Sequence, residues 1–435
     1  MSRTFRSLRR PNFRRFFIGQ AISATGTWMQ SVTVGILVLR ITDSGVAVGL
    51  TTVAQFGPLL LLGPWAGILS DRFELHTLLL RVNAAGAVVA AAFSVLVVGG
   101  EPPLWSVYLL ATATGVVQAL ENPVRRVFVT ELVEDDLLAN ATGLNSTVMI
   151  SAEAIGLTLA GVMIDGPGIV WCFLLNSLSF LPQLALFAGM DRAQLRRQPR
   201  SGRTSGRLRE GLSFAWNDAE VRVVMLLLAA IGMFGFSAHT VVIPLLAFRD
   251  LHGDAGTLTF VLTGLSIGSL AGALASARRG SADLWFLARA AIAFGVLHAG
   301  LGLATSPALA AAIAVPVGFA VMISVSGMNA VIQLRTPPQL RGRVMAMVSI
   351  VLVGTSPIGG PVVGVIADRF GARTALAAGG GVIVVAGTIA LRTLPGGALR
   401  RNETSRGRRR HVTRLRHARP SILTPAAPEQ EAQCP

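Results

Sequence analysis

Glu153 is the residue whose type and position point most directly to chemistry in this sequence. The chain has 22 acidic residues, and Glu153 is the one that falls near the middle of a long apolar stretch, residues 140–164. An ionisable group there is costly unless it faces a cavity or a partner. Such a carboxylate can load and release a proton, contact a cationic compound, or form a structural pair with an arginine or with a polar neighbour such as Asn176. The residues alone leave these three interpretations open.

The composition indicates that this stretch crosses a membrane. Apolar residues make up 52% of the 435 residues and charged residues only 14%, which is outside the usual range of soluble domains. About 20 apolar residues are needed for a helix to cross roughly 30 Å of hydrocarbon. Twelve stretches are predicted to do so, at 14–39, 45–69, 77–99, 103–121, 140–164, 167–189, 221–247, 256–276, 284–304, 307–331, 344–367 and 374–394. We expect the first to stay as a helix, because its apolar run is too long for a cleaved signal peptide.

The arginines predict how these helices are oriented. All 38 basic residues are arginines, and the net charge is +16. Basic residues in short loops stay on the cytoplasmic side, and with the N-terminus inside, the external loops hold only Arg40, Arg249, Arg369 and Arg373. The sequence therefore predicts a multi-pass protein of the inner or plasma membrane with both termini in the cytoplasm. Attraction to inner-leaflet lipid explains the remaining charge without a nucleic-acid partner.

Loops and composition divide the chain into five segments. These are a basic cytoplasmic N-terminus (1–13), an N-terminal six-helix bundle (14–189), a basic cytoplasmic loop (190–220), a C-terminal six-helix bundle (221–394) and a basic cytoplasmic tail (395–435). The second half of the loop, from Arg209 to Arg222, predicts an amphipathic helix on the membrane surface. The tail lacks apolar periodicity, so we expect it to be disordered.

A small-residue motif recurs every three predicted helices. Its glycines are Gly67, Gly161, Gly272 and Gly364, in the second, fifth, eighth and eleventh stretches. Because three is odd, successive three-helix units enter the membrane from opposite sides. The predicted fold class is therefore all-α and integral to the membrane, with twelve transmembrane helices arranged as two six-helix bundles, each of two inverted three-helix repeats. In secondary transporters with such repeats, the substrate site lies near the midplane between them.

Motifs along nearly the whole chain carry a family resemblance. They are RRFFIGQAISATGTWMQ (14–30), GPWAGILSDRF (63–73), ENPVRRVFVTELV (121–133), NATGLNS (140–146), CFLLNSLSF (172–180), EGLSFAW (210–216) and PPQLRGRVMAM (337–347). In these motifs the chain resembles the major facilitator superfamily. Within it, the resemblance is to the branch of twelve-helix exporters that includes the enterobactin exporter and macrolide efflux proteins.

The resemblance implies an internal gate at the loop between the second and third helices. The superfamily pattern there is G-x-x-x-D-R-x-G-R-[KR], which Gly67, Asp71 and Arg72 match, whereas residues 74–76 read Glu-Leu-His. The glycine is expected to let helix 2 pack closely against helix 11, and the aspartate to bind the N-terminal end of that helix. Glu121 and Arg126 are placed in the same gate; the alternative is an interfacial ion pair of little energetic weight.

A second copy of the loop motif, GPVVGVIADRF at 360–370, ends the eleventh predicted helix. The inverted repeats place its aspartate, Asp368, outside the cell. We therefore expect Asp71 to act in gating and Asp368 to be its mainly structural counterpart.

In this superfamily helices 1, 4, 7 and 10 line the central cavity. The resemblance therefore nominates six polar residues: Gln20, Gln30, Gln118, His239, Asn329 and Gln333. The alternative for each is a packing role, because polar residues also join helices in lipid. No metal site or cofactor is expected, since the six histidines have no paired ligand spacing. No enzyme activity is expected either, and without lysine the chain has no ATP-binding phosphate loop.

The sequence thus favours a secondary transporter that works as a monomer by alternating access. It predicts export of a small amphiphilic compound, such as a siderophore or a drug, in exchange for protons. Two other interpretations remain open: an importer or facilitator of the same fold, and a membrane sensor or scaffold that does not transport.

Overall fold

The described part of this protein consists of helices and their connections and contains no β-strand. The computed structural model describes residues 3–196, 208–279 and 283–393. Side chains at 3–4, 63–72, 139, 150, 208–209, 277, 338–339, 342–343 and 346 are not described. The predicted tail, 395–435, and residues 197–207 of the predicted loop lie outside the described residues.

Six long helices form the N-terminal half of the protein. They are α1 Pro11–Thr42, α2 Gly45–Arg72, α3 Leu75–Val98, α4 Leu104–Leu132, α5 Asp135–Asp165 and α6 Ile169–Ala188. Pro11 starts α1 at a position where its missing N–H costs nothing. Asp43 ends α1 with a left-handed backbone, φ 43°, which reverses the chain into α2. Helix α1 packs against α5 and α6, and α2 packs against α4.

The C-terminal half follows a short helix, α7 Leu208–Asn217. The crossing Ala219–Asp250 begins as α8 Ala219–Ala230, continues in wide π-type turns, and includes the short α9 Ile243–Leu245. The remaining helices are α10 Ala255–Arg279, α11 Leu284–Leu301, α12 Pro307–Arg335, α13 Pro338–Gly354, α14 Ser356–Phe370 and α15 Ala372–Thr393.

Side-chain caps fix where two of these helices begin. Asp218 accepts hydrogen bonds from the N–H groups of Glu220 and Val221 and starts α8. Asp254 accepts a 2.8 Å hydrogen bond from the N–H of Thr257 in α10. This bond holds the pKa of the Asp254 carboxyl below its ordinary value, as expected when the charged form is the acceptor.

Among the described residues, eleven helices are long and apolar enough to cross a membrane. The all-α membrane fold class is therefore confirmed, while the predicted count of twelve is not fully confirmed. Helix α4 is 29 residues long but is outside this set. Its second half carries four charged residues: Glu121, Arg125, Arg126 and Glu131.

Helix α4 extends past the fourth predicted stretch, 103–121, and continues through Pro123 to Leu132. A proline removes one backbone hydrogen bond, and neighbouring groups in a membrane bundle compensate for that loss. The extra turns place the charged residues of α4 on a continuous helix.

Helix ends gather on two faces of the protein. The arginine-rich face contains the starts of α1, α3 and α5: Asn12 donates to the carbonyl of Asp191 at 2.8 Å, and Arg10 pairs with Glu134. The other face, which we call the opposite face, contains the link between α1 and α2 and the ends of the crossing Ala219–Asp250 and of α14.

The two halves contact each other mainly where α2 meets α14 and where α5 meets α10. The first contact is a backbone-to-backbone approach: a Cβ added at Gly49 would lie 2.5 Å from the carbonyl oxygen of Gly360. The second includes a 3.1 Å hydrogen bond between the hydroxyl groups of Thr158 and Thr263. Small residues permit such close helix packing in lipid.

Gly49→Ala is expected to lower the thermal unfolding midpoint, because the added methyl group would contact the backbone of α14. Overpacking of this kind costs about 1–3 kcal/mol. Gly57→Ala is the matched control, since a Cβ at Gly57 in the same helix meets nothing within 4 Å. Alanine favours a helix by about 1 kcal/mol over glycine, so this control should keep or raise the midpoint. Equal midpoints for both variants in detergent would contradict the close α2–α14 contact.

Candidate functional site: a cavity between the halves

Two connected cavities lie between the N-terminal and C-terminal halves. The larger, of about 430 Å³, reaches the arginine-rich end of α4. The smaller, of about 200 Å³, extends toward α10 and α12. They share six lining residues: Trp28, Ser31, Gln55, Phe56, Glu153 and Phe236. Their combined size is that of a pocket for a small organic molecule.

Glu153 lies where the two cavities join. It belongs to α5, and its side chain is half-buried. The part of the chain that the structure describes gives Glu153 no hydrogen bond or ion pair. Asn176, the polar partner considered from the sequence, instead donates a 2.7 Å hydrogen bond to Gln30. A carboxylate without a partner at this depth is available to a proton or to a bound solute.

His239 lines the smaller cavity from the C-terminal half. It lies in one of the π-type turns, Ala238–Val242. These wide turns occur often at functional sites because they displace side chains from regular helical positions. Within the described residues, the buried Nε2 atom of His239 has no hydrogen-bond partner. The described lining of the smaller cavity therefore has one titratable group from each half, Glu153 and His239.

The end of α4 contributes a second charged group of residues to the larger cavity. Glu121, Asn122, Arg125 and Arg126 all line it. Glu121 forms its ion pair with Arg125, at 3.7 Å, rather than with Arg126. Arg125 was not singled out from the sequence, although its spacing of four residues from Glu121 is the one that brings side chains together on a helix. Arg126 is exposed, so the cavity opens at the arginine-rich face.

The other residues nominated for the cavity have different surroundings. Gln20 and Gln118 line the larger cavity, and Gln20 also accepts a 3.3 Å hydrogen bond from Gln183. Gln30 is buried against α6 through its bond to Asn176. Asn329 and Gln333 are outside the described linings of both cavities.

The side chains of the predicted gate residues at the loop between the second and third helices are not described. Gly67, Asp71 and Arg72 belong to the last turns of α2, but their side chains are not described. Their role stays a prediction.

On the opposite face, Asp368 joins the two halves. Its carboxylate, at the end of α14, accepts hydrogen bonds from the N–H groups of Gly45 at 2.7 Å and Val46 at 2.9 Å. The hydroxyl of Ser44 donates to it as well, at 2.9 Å. These groups form the N-terminal end of α2, where a negative charge is stabilised by the helix dipole. This contact is the counterpart, on the opposite face, of the contact that the resemblance assigns to Asp71 and the eleventh helix.

Arg249 completes this contact from the end of the crossing Ala219–Asp250. It donates a 3.0 Å hydrogen bond to Asp368 and another of 3.0 Å to the carboxylate of Asp43. We call Asp43, Ser44, Arg249 and Asp368 the opposite-face latch. The latch links α1 and α2 to the C-terminal half and closes the cavity on that face.

The described ion pairs of the arginine-rich face each lie within one half. Arg10–Glu134, Arg6–Asp136 and Arg196–Asp135 lie in the N-terminal half, and Arg335–Glu220 lies in the C-terminal half. The described residues therefore form a cavity that the latch closes on one face and whose lining reaches the surface, at Arg126, on the other.

A bundle of membrane-spanning helices with a one-sided cavity between two halves is the architecture of a solute transporter. The model of the transmembrane secretion effector family matches residues 2–409, and the chain belongs to this family of the major facilitator superfamily. The superfamily assignment from the sequence is thereby confirmed. The protein is a multi-pass membrane transporter of that superfamily.

Three relatives show what this chain is similar to. It is 22% identical to the staphyloferrin A transporter of Staphylococcus aureus over 59% of this chain and 64% of that protein. It is 24% identical to the enterobactin exporter EntS of Escherichia coli over 62% of this chain and 64% of that protein. It is also 22% identical to the uncharacterised transporter YfiS of Bacillus subtilis, over 86% of this chain and 90% of that protein. The chain thus spans less than two thirds of the length of the two siderophore transporters.

Solved structures share the fold at low sequence identity. The nucleoside transporter NupG superimposes with a TM-score of 0.73, at 10% identity over 88% of this chain and 100% of that chain. A bacterial homologue of the human lysosomal transporter Spinster, in an inward-facing and occupied conformation, gives a TM-score of 0.71 at 14% identity, over 90% of this chain and 97% of that chain.

Proposed function

We propose that this transporter exports a small amphiphilic compound, such as a siderophore or a drug, in exchange for protons. The observation that carries the proposal is Glu153, which lines both parts of the central cavity and has no partner among the described residues. Proton exchange needs a group that both a proton and the substrate reach from one side at a time. A carboxylate in a one-sided cavity meets that requirement.

The difference between the two faces supports an alternating-access mechanism. The arginine-rich face is assigned to the cytoplasm because basic loops are retained there, so this structure is open to the cytoplasm and closed outside by the latch. Gly67, Asp71, Arg72, Glu121 and Arg126 are proposed to close the cytoplasmic face in the other state. The amphipathic α7, whose Leu212 and Trp216 are exposed, then lies on the cytoplasmic membrane surface.

The cavity lining supports an amphiphilic substrate. Trp28, Phe56 and Phe236 supply aromatic surface where the two cavities join. Gln20 and Gln118 supply polar groups nearby. Such a mixture of aromatic surface with a few polar groups binds organic compounds that have both kinds of surface. The printed functions of two relatives, transport of staphyloferrin A and export of enterobactin, favour a siderophore as the first compound to test.

Reconstituted protein in liposomes tests the proposal. When one proton is exchanged for one neutral solute, a gradient of one pH unit supports about a tenfold concentration ratio of the solute. We expect such accumulation for at least one member of a panel of siderophores and amphiphilic drugs, together with substrate-dependent proton movement reported by an internal pH dye. Solute equilibration without accumulation would indicate a facilitator. An absence of any solute movement across the panel would favour the sensor or scaffold interpretation.

A further inference from the structure

Arg125 is a buried cation at the wall of the larger cavity, with 8% of its surface exposed. Its Nη2 atom donates a 2.7 Å hydrogen bond to Asn122 Oδ1. Its Nη1 atom lies 3.0 Å from Met149 Sδ, and a thioether is a weak acceptor. Its Nε atom has no acceptor within the described residues. Glu121 is 3.7 Å from that atom, too far for a hydrogen bond.

A guanidinium in this position needs an anion. It keeps its charge in proteins and presents five N–H donors in a planar fork. Burying such a group with unpaired donors is unfavourable. Helix α4 supplies one strong acceptor, Asn122, and one carboxylate that forms an ion pair without a hydrogen bond. Arg125 is also one of the residues that line the larger cavity, which is large enough for an organic molecule.

The charges around Arg125 indicate which anion balances the site. Arg125 and Arg126 are positive and Glu121 is negative, so this end of the cavity has a net charge of +1 among the described groups that line it. A singly charged carboxylate neutralises it, whereas a doubly charged phosphate would leave an excess of negative charge. The fork of a guanidinium also matches both oxygens of a carboxylate. Glu153 lies further along the cavity, where a second negative group of the solute would be repelled.

We propose that Arg125 anchors a carboxylate of the transported compound, while the aromatic residues at the junction of the cavities hold its apolar part. Arg126, which is exposed at the cavity mouth, adds attraction for the same group. This inference rests on the proposed transport function and adds to it the substrate class: amphiphilic compounds with a free carboxylate at one end.

Equilibrium binding to the full-length protein in detergent tests the anion site. The probes are 2-naphthoate and its neutral analogue 2-naphthamide, titrated by calorimetry against empty-micelle blanks. We expect the wild-type protein to bind the carboxylate roughly tenfold to hundredfold more tightly than the amide, as is typical of a charged hydrogen-bonded pair. Arg125→Gln should remove that preference. Arg125→Lys should keep part of it, because the charge remains but the planar fork is lost.

Arg81→Gln is the matched control, since Arg81 is an exposed arginine of α3 outside the described cavity linings. It should bind both probes as the wild-type protein does. Equal affinity of the wild-type protein for the two probes would overturn the proposal, even if no variant folds. So would an unchanged carboxylate preference in Arg125→Gln combined with loss of transport for charged and neutral compounds alike, because that result assigns Arg125 to gating.

This binding test is independent of the proposed transport function, because it needs neither a proton gradient nor export. A carboxylate preference without proton-driven accumulation would keep the anion site and reject proton-coupled export. Proton-driven accumulation without a carboxylate preference would keep proton-coupled export and reject the anion site.

Discussion

Glu153→Gln is expected to abolish proton-driven accumulation while leaving the protein folded. Glutamine has nearly the same shape as glutamate but cannot exchange a proton at this position. Under a gradient of one pH unit the accumulation ratio should fall from about tenfold to one, the value for passive equilibration. Since Glu153 has no described partner that would be left unpaired, we expect only a small change in the thermal unfolding midpoint.

Counterflow without a pH gradient separates the interpretations of Glu153. Exchange of labelled for unlabelled solute needs binding and alternating access but no net proton movement. If Glu153 carries the coupling proton, Glu153→Gln should retain exchange and lose accumulation. If Glu153 contacts a cationic solute, exchange of that solute should be lost while exchange of a neutral one remains. Glu101→Gln, at an exposed loop position, is the control and should retain both activities.

Full proton-driven accumulation by Glu153→Gln would reject the coupling role outright. In that case His239, the other titratable group that lines the smaller cavity, becomes the group to replace. Its position in the C-terminal half means that it moves relative to Glu153 when the halves rearrange.

The fold could be predicted because a membrane restricts the choices. Every backbone polar group within the hydrocarbon must be paired inside its own helix, so long apolar runs become helices regardless of finer sequence detail. The same restriction made Glu153 visible, since a carboxylate inside such a run is rare. The fourth predicted stretch stops at residue 121, before Pro123, whereas the helix continues through it. The effect of a proline depends on whether neighbouring groups compensate for one lost hydrogen bond, and that is a property of the packed bundle.

Roles that depend on helix rotation could not be predicted from one sequence. Gln20 and Gln30 lie on the same helix and both accept a hydrogen bond from an amide of α6, yet of the two only Gln20 is in the described lining of the larger cavity. Arg125 and Arg126 are neighbours, so they point in directions about 100° apart, and Arg125, four residues after Glu121, is the one that pairs with it. Spacing favoured Arg125, but the resemblance drew attention to Arg126.

The latch was missed for a different reason. Asp43, Arg249 and Asp368 come from three helix ends that are distant in the sequence, and they meet only when the halves are closed on that face. From the sequence, Asp368 is expected outside the cell in a mainly structural role, because the family pattern emphasises the cytoplasmic copy of the motif, which contains Asp71. The structure gives Asp368 bonds to both the N-terminal end of α2 and Arg249, which makes it a residue whose contacts must break when the opposite face opens.

Asp368→Asn is therefore expected to shift the protein toward the state that is open on the opposite face. Asparagine can accept some of the same hydrogen bonds but loses the charge that binds Arg249 and the helix dipole of α2. Charged hydrogen bonds of this kind are worth about 1.5–3 kcal/mol and a helix dipole contact about 0.3–1 kcal/mol. The ratio of the two states should change by roughly tenfold to hundredfold. Arg249→Gln should act in the same direction but more weakly, because its side chain is 31% exposed and solvent screens its ion pairs.

Distances between spin labels measure this shift directly. Glu101→Cys and Leu303→Cys place labels on exposed loops of the two halves at the opposite face, in a chain that also carries Cys434→Ser. Asp368→Asn should add or enlarge a population with a longer distance, and a pH gradient or substrate should change its size. Arg369→Gln is the matched control, because Arg369 is exposed on the same helix end and has no described ion pair. If Asp368→Asn and Arg369→Gln give the same distance distribution as the wild-type protein, the latch does not hold the two halves together. If Asp368→Asn and Arg369→Gln lengthen the distance equally, the effect is a general one of altering this helix end and the ion pairs of Asp368 do not control access.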